Sequence, residues 1–191
     1  MRNNIYSVIT GTGSYIPSKV VKNEDFLNNE FYDESGKNLD KDNEEIIQKF
    51  MEITGIHERR YMEDDQVTSD LAYLAAQAAL EDAQINGEEL DYIIVGHNFG
   101  DVKKTTGSID ILPSLASRVK RKLGIHNPSA VAYDIVFGCP AWIQCLIQAN
   151  YYIQSGDAKK VLVIGSDALS RISDPYDRDS MIFADGGGAT V

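Results

Sequence analysis

Cys139 stands in the stretch DIVFGCPAWIQC, residues 134–145, where an apolar run ends at Gly138, Pro140 follows the thiol and a second apolar run begins. A buried strand that hands over to a helix has this pattern. Pro140 suits the first helical position, because it has no N–H to lose and its φ is already helical. Gly138 permits a sharp turn and the close approach of another group. A helix N-terminus carries roughly half a positive charge and presents unpaired N–H groups. A thiol at that end ionises more readily, and the thiolate is the nucleophile. The same N–H groups can hold the oxygen of a thioester as it becomes negative. The chemistry on offer is acyl transfer to Cys139. The competing reading is a buried, inert cysteine, a common fate of free thiols, and position in the sequence leaves both open.

Other reactive residues offer less. Cys145 lies about two turns further along the same helix and reads as core. Six residues of helix separate the two thiols, which therefore point apart and cannot easily bridge. His57, His97 and His126 are scattered, so no zinc-type spacing arises and no metal site is expected. Gly11 and Gly13 suggest a dinucleotide fingerprint, but Ile16 occupies the third glycine position and Pro17 follows; a tight turn after a strand is the simpler account. His97 and Asn98 follow a strand at the same sheet edge as Cys139 and read as a loop pair bonded to backbone. His57 and His126 sit in polar loops and receive no role.

The elements that must position Cys139 alternate between strand and helix. Strands are expected in IYSVITGTGSYIP, LDYIIVGHN, SAVAYDIVFG, AKKVLVIGSDAL and GGGATV, with the middle ones of the buried parallel type. Residues 22–53 read as short polar helices and loops, with Asn23 as a cap. TSDLAYLAAQAALEDAQING is the clearest helix, capped by Thr68 or Ser69, striped by Leu71, Leu74, Ala75, Ala78 and Ala79, and ended near Gly87. SLASRVKRKLG is a helix that stops at Gly124. PAWIQCLIQANYYIQSG is apolar on nearly every side, as a helix inside a protein is. Alternation with short connections implies a mostly parallel sheet flanked by helices.

The chain has 191 residues, enough for one domain or for half of a duplicated protein. Its net charge of −11 argues against a nucleic-acid partner. Residues 24–45 hold nine acids and two lysines. Residues 103–122 instead hold Lys103, Lys104, Arg118, Lys120, Arg121 and Lys122 against Asp110 alone, either a docking patch for an acidic partner or a solvated face. No stretch approaches the ~18 apolar residues of a membrane span, and MRNNIYSVIT lacks a signal peptide's apolar core, so no membrane association and a cytoplasmic location are expected. Two free thiols fit a reducing compartment.

The segments ITGTGSYIPSKVVKNEDF, TGIHERRY, LGIHNPSAVAYDIVFGCPAW, SGDAKKVLVIGSDALSRISDPYDRDS and FADGGGATV, in this order, resemble the thiolase-like condensing enzymes. More narrowly the chain is similar to the ketoacyl-acyl-carrier-protein synthase III family, over nearly its whole length. The resemblance implies a thiolase-like α/β fold with a mixed, mostly parallel five-stranded sheet flanked by helices. It makes residues 1–191 the first of two similar halves, ending inside a strand, and inactive alone. Cys139 matches the acyl-accepting nucleophile, its N–H being one oxyanion donor. Arg178 in DPYDR matches an arginine at the adenine end of coenzyme A. Leu112 falls where the family often has a phenylalanine that reaches across a homodimer into the partner's acyl pocket. The family's catalytic histidine and asparagine belong to the second half. No cofactor is held permanently; coenzyme A or acyl-carrier thioesters are substrates, and an acyl carrier protein is the partner.

The chain departs from that pattern around the thiol and at the coenzyme A grip. Val136, Phe137, Gly138 and Pro140 replace small residues and an alanine, and Phe137 with Trp142 implies a differently shaped acyl pocket. The tryptophan and arginine that grip coenzyme A align with Lys49 and Ile53. The adenine sandwich is then absent, which favours a carrier-protein donor or unusual coenzyme A binding. Three functions fit: decarboxylative condensation with a malonyl-carrier thioester in fatty-acid or related biosynthesis, acyl transfer to a different acceptor in secondary metabolism, and a non-catalytic partner subunit of a ketosynthase.

Overall fold

The computed structural model describes residues 5–191. The chain runs β1 (Thr12–Tyr15), β2 (Lys19–Lys22), α1 (Asn43–Thr54), β3 (Glu58–Tyr61), α2 (Thr68–Ala83), β4 (Tyr92–His97), β5 (Asp101–Val102) and β6 (Ile109–Asp110). It continues α3 (Leu115–Lys122), β7 (Val131–Val136), α4 (Ala141–Ser155), β8 (Val161–Ala168) and β9 (Asp185–Thr190). The main sheet has five strands in the order β1-β9-β8-β4-β7. β4 runs parallel to β7 and β8, and β9 runs antiparallel to β8 and β1. Four strands therefore share one direction, as the alternation of elements implies.

Side chains alternate across this sheet and sort into two layers. Ile93, Val95, Leu162, Ile164 and Ala189 face α2 and α3, where Ala72, Ala75, Ala76, Ala79, Leu115 and Val119 are buried. Ile94, Val161 and Val163 face α4 through Cys145 and Ala149. The alanines of α2 allow a close helix–sheet approach, and Gly11 and Gly13 complete it. A Cβ at either glycine would overlap backbone atoms of Ala79 or Ala83. Gly13 is thus a strand residue pressed on a helix, not part of the tight turn expected after a strand.

Several local expectations shift. α1 is a 12-residue helix where short polar pieces were expected; Asp42 accepts from Glu44 N at 3.1 Å as its cap and Gly55 closes it at φ 69°. Ile46, Ile47 and Phe50 hold it on Phe26, Phe31 and Met181, a small satellite core. Asn23 is no cap: its side chain is buried, donating to Ile56 O at 2.8 Å and accepting from Arg59 Nη2 at 2.7 Å. α2 is capped by neither Thr68 nor Ser69; Asp70 reaches back to Val67 N at 2.9 Å, and Ser69 is bound to Asp101. That helix ends at Gln84 in the left-handed region (φ 55°), before Gly87.

Two elements expected to be buried are not. β7 is an edge strand, with Val131 46% and Val136 62% exposed. α4 buries Ala141, Cys145 and Ala149, while Ile143, Ile147 and Tyr151 on its outer side are exposed. Its sequence asks for apolar partners on both faces, and the described residues supply one. No helix of the described residues is long and apolar enough to cross a membrane.

Candidate active site

β7 ends at Val136, and the chain reaches α4 through Phe137, Gly138, Cys139 and Pro140. Gly138 takes φ 71°, a left-handed conformation that a side chain would strain. Pro140 is the N-cap, one residue earlier than expected, and Ala141 N donates to Gly138 O at 3.0 Å to close the turn. Cys139 is exposed at the carboxyl edge of the parallel strands, where open α/β sheets bind ligands. No backbone carbonyl among the described residues takes its N–H.

Beside the thiol lies a cleft of about 220 Å³, whose lining includes Gly96, Gly138, Trp142, Ser166, Asp167 and Gly188. Its floor is a row of glycines on adjacent strands: Gly96 pairs with Gly165, and Gly165 with Gly188. A Cβ on Gly165 would stand 3.0 Å from Trp142 Cβ. The missing side chains let the first turn of α4 sit down on the sheet and leave room beside the thiol. The helix dipole adds positive character at that turn.

Cys145 is buried on the inner side of α4; burial, with the Asp134 charge adding, pushes its thiol up to about 12. It belongs to the core, as expected. His97 is also buried. Its Nδ1 accepts from Gly100 N at 3.0 Å, and its Nε2 pairs with Asp134 Oδ2 at 3.0 Å. Asp134 accepts further from Leu115 N at 2.6 Å and Ala116 N at 2.8 Å, capping α3. One backbone bond of the expected kind is present at His97, and the other contact is a carboxylate. Asn98 departs more, since both of its bonds run to Asp167: from its N at 3.0 Å and its Nδ2 at 2.6 Å. Asp167, which the sequence did not single out, has its carboxyl held above the usual range by burial.

Trp142 lines the cleft. Phe137 (57% exposed) and Leu112 (78% exposed) lie on the surface and line none of it within one chain. Arg178 is exposed and lines a separate groove of about 270 Å³ with Lys41, Lys49, Phe50, Ile53 and Met181. Lys49, Ile53 and Arg178, set together by the resemblance, line one groove. Among the described residues no three His, Cys, Asp or Glu side chains are grouped to hold a metal.

The basic segment is largely occupied internally. Arg118 bridges Asp101 at 2.7 Å and Asp110 at 2.8 Å; Lys120 Nζ donates to Asn127 O at 2.7 Å and Ala130 O at 2.6 Å. Lys122 holds Asp70 at 2.5 Å, and Lys104 holds Asp64. Lys103, Lys104, Arg121 and Lys122 all lie on the surface, Lys104 and Lys122 with a carboxylate beside them.

A family profile described as 3-Oxoacyl-[acyl-carrier-protein (ACP)] synthase III matches residues 133–191, which hold the thiol turn and the last two strands. Over its whole length the chain is 39% identical to the Beta-ketoacyl-[acyl-carrier-protein] synthase III of Xanthomonas euvesicatoria pv. vesicatoria (strain 85-10), covering 100% of this chain and 52% of that protein. The crystal structure of 3-oxoacyl-[acyl-carrier-protein] synthase III from Aquifex aeolicus VF5 superposes with a TM-score of 0.75 at 33% identity, over 95% of this chain and 52% of that one. The priming beta-ketosynthase from the R1128 polyketide biosynthetic pathway superposes with a TM-score of 0.78 at 26% identity, over 100% of this chain and 50% of that one. The chain spans about half the length of the curated relatives it matches.

Proposed function

We propose a function from the family to which this chain belongs, the thiolase-like 3-oxoacyl-[acyl-carrier-protein] synthases III. The protein accepts an acyl group on Cys139 and passes it on by decarboxylative condensation. The observation that carries this reading is the exposed thiol on a strand-to-helix turn above a glycine-floored cleft. Cys139 Sγ attacks the carbonyl of an acyl thioester and expels the donor thiol, which leaves with the proton. A malonyl-carrier thioester then loses carbon dioxide, and its carbanion attacks the acyl-enzyme carbonyl. The new carbon–carbon bond releases the Cys139 thiolate and yields a β-ketoacyl-carrier product. The unpartnered Cys139 N–H supports one oxyanion contact. The second contact and the groups that promote decarboxylation come from a second half, packed on the open outer face of α4. A second copy pairs along the free edge of β7, where Leu112 can reach the partner's pocket.

The donor is a carrier-protein thioester. The groove at Arg178 presents Lys49 and Ile53 where a tryptophan and an arginine would grip coenzyme A, and Phe50 is its aromatic residue instead. A second reading keeps Cys139 and changes the acceptor. Similarity to a priming ketosynthase of a polyketide pathway favours it, as does the bulk of Trp142 in the cleft.

Intact mass after incubation with acyl-coenzyme A and acyl-carrier thioesters, beside Cys139→Ala, tests the proposal. An acyl adduct on the parent and none on the variant is expected, with the carrier donor faster. A folded, dimeric protein that takes no adduct from any donor would point to the partner-subunit role instead.

A further inference from the structure

Asn98 is gripped from one side and free on the other. Its backbone N–H and Nδ2 both donate to Asp167 on β8, at 3.0 and 2.6 Å. Its remaining side-chain polar atom, Oδ1, would stand 3.6 Å from a Cβ on Gly138, nearer than any other atom beyond that glycine's chain neighbours. Asp167 and Gly138 line the same cleft as Cys139. The loop that carries Asn98 is itself anchored on both sides, since the preceding His97 is buried and bonded to Asp134 and to Gly100 N. Asp167 thus holds Asn98 with its Oδ1 beside the turn that presents the thiol, where it would lie in van der Waals range of a Gly138 side chain. A half-buried carboxylate is costly without hydrogen bonds, and among the described residues Asn98 supplies both side-chain-directed bonds that Asp167 receives.

We infer that Asp167 is a positioning residue for the nucleophile, acting through Asn98 to fix the Gly138–Cys139 turn. This rests on the acyl-transfer reading of Cys139, and it adds a pH dependence to that reading. Ionised, Asp167 accepts both hydrogen bonds and Asn98 is locked. Protonated, it loses acceptor capacity and the wall of the cleft loosens. Burial holds its carboxyl above the ordinary range, so the transition falls at a higher pH than for a surface aspartate. His97 on β4 and Asp185 on β9 are the other titratable groups that act on Asp167, the first favouring its ionisation and the second opposing it. The Cys139 thiol shares the cleft.

The test compares the parent chain with Asp167→Asn, Asn98→Ala and the double exchange Asn98→Asp/Asp167→Asn. The exchange keeps two hydrogen bonds, because the amide now on β8 can donate to the carboxylate now in the loop. One readout needs no thioester: the rate at which Cys139 Sγ displaces iodide from iodoacetamide as a function of pH. A second is the emission of Trp142, the single tryptophan, which lines the same cleft. The third is acyl transfer to Cys139. In the parent, both the alkylation rate and the emission are expected to show an inflection from a carboxyl group, and Asp167→Asn to lose it. Acyl transfer should fall about tenfold in either single variant and recover to within about twofold in the exchange. Superimposable pH profiles for parent and Asp167→Asn overturn the inference. So does an exchange variant that melts like the parent yet stays as slow as the single variants. If no thioester acylates the parent but the alkylation profile loses its inflection in Asp167→Asn, the acyl-transfer reading fails and the positioning role stands.

Discussion

A Cβ on Gly96 would stand 2.8 Å from the carbonyl carbon of Ala141, so α4 begins in contact with the bare backbone of β4. The thiol turn owes its position to that contact. The atom met is backbone at a helix start, which cannot rotate away. Gly96→Ala is therefore expected to lift the first turn of α4 and to cost about 1–3 kcal/mol. Denaturant unfolding measures the cost, and the rate of Cys139 modification measures the displacement. Gly188→Ala is the control, because a Cβ there meets nothing within 4 Å. Equal destabilisation by both substitutions would show that helix–sheet contact is not what Gly96 provides.

The two thiols should separate cleanly. Cys139 is exposed, and the Cys145 thiol is buried and pushed up to about 12. The folded protein is expected to take one carbamidomethyl group near pH ~8 and the unfolded protein two. Peptide mapping of the singly labelled species should place the group on Cys139. Labelling of Cys145 at a comparable rate in the folded state would show that α4 opens in solution.

How much of this was legible beforehand follows from what each signal depends on. The thiol turn was readable because proline fixes φ and glycine permits a left-handed turn, and the two flank the thiol directly. In α2, Leu71, Ala75 and Ala79 are buried as their helical spacing implies, whereas Leu74 and Ala78 are half-buried and Ala72 and Ala76 face the core instead. α1 was missed because its apolar positions, Ile46, Ile47 and Phe50, are diluted by acids and polar residues and answer to a distant cluster around Phe31 and Met181. The edge position of β7 is a property of strand order, which no local pattern encodes. Asp167 escaped notice because its partner, Asn98, lies 69 residues away and meets it only across two parallel strands. The glycine row is similar: Gly96, Gly165 and Gly188 form a floor only once the register is set.

The basic segment makes a prediction of the opposite kind to docking. Lys120 satisfies two carbonyl oxygens at the start of β7, and Arg121 beside it is exposed. Lys120→Glu removes both bonds and is expected to destabilise the fold by about 1–3 kcal/mol. Arg121→Glu should stay within about 0.5 kcal/mol of the parent. A triple charge reversal at Lys120, Arg121 and Lys122 would thus confuse unfolding with lost binding. Lys103→Glu and Arg121→Glu together give the clean assay of carrier-protein affinity. Unchanged affinity in that pair would remove this segment from any proposed carrier-protein contact.

Alkaline stability has an identifiable contributor in Tyr92. Its hydroxyl donates to Asp157 Oδ2 at 2.5 Å, and its ring stacks on Tyr152 with centroids 4.3 Å apart. The bond to Asp157, then burial, push the phenol from 10.0 up to about 12. A raised phenol favours the fold in its protonated form. Its contribution is complete below the unfolded value of about 10 and is lost as pH rises through about 12. Tyr92→Phe keeps the stack and deletes the donor. The parent should therefore lose stability more steeply than the variant between about pH 10 and 12, measured by urea midpoints at constant ionic strength. Below that window the parent should remain the more stable of the two, with a constant difference. Parallel curves across the whole range would mean that Asp157 does not hold the phenol in solution.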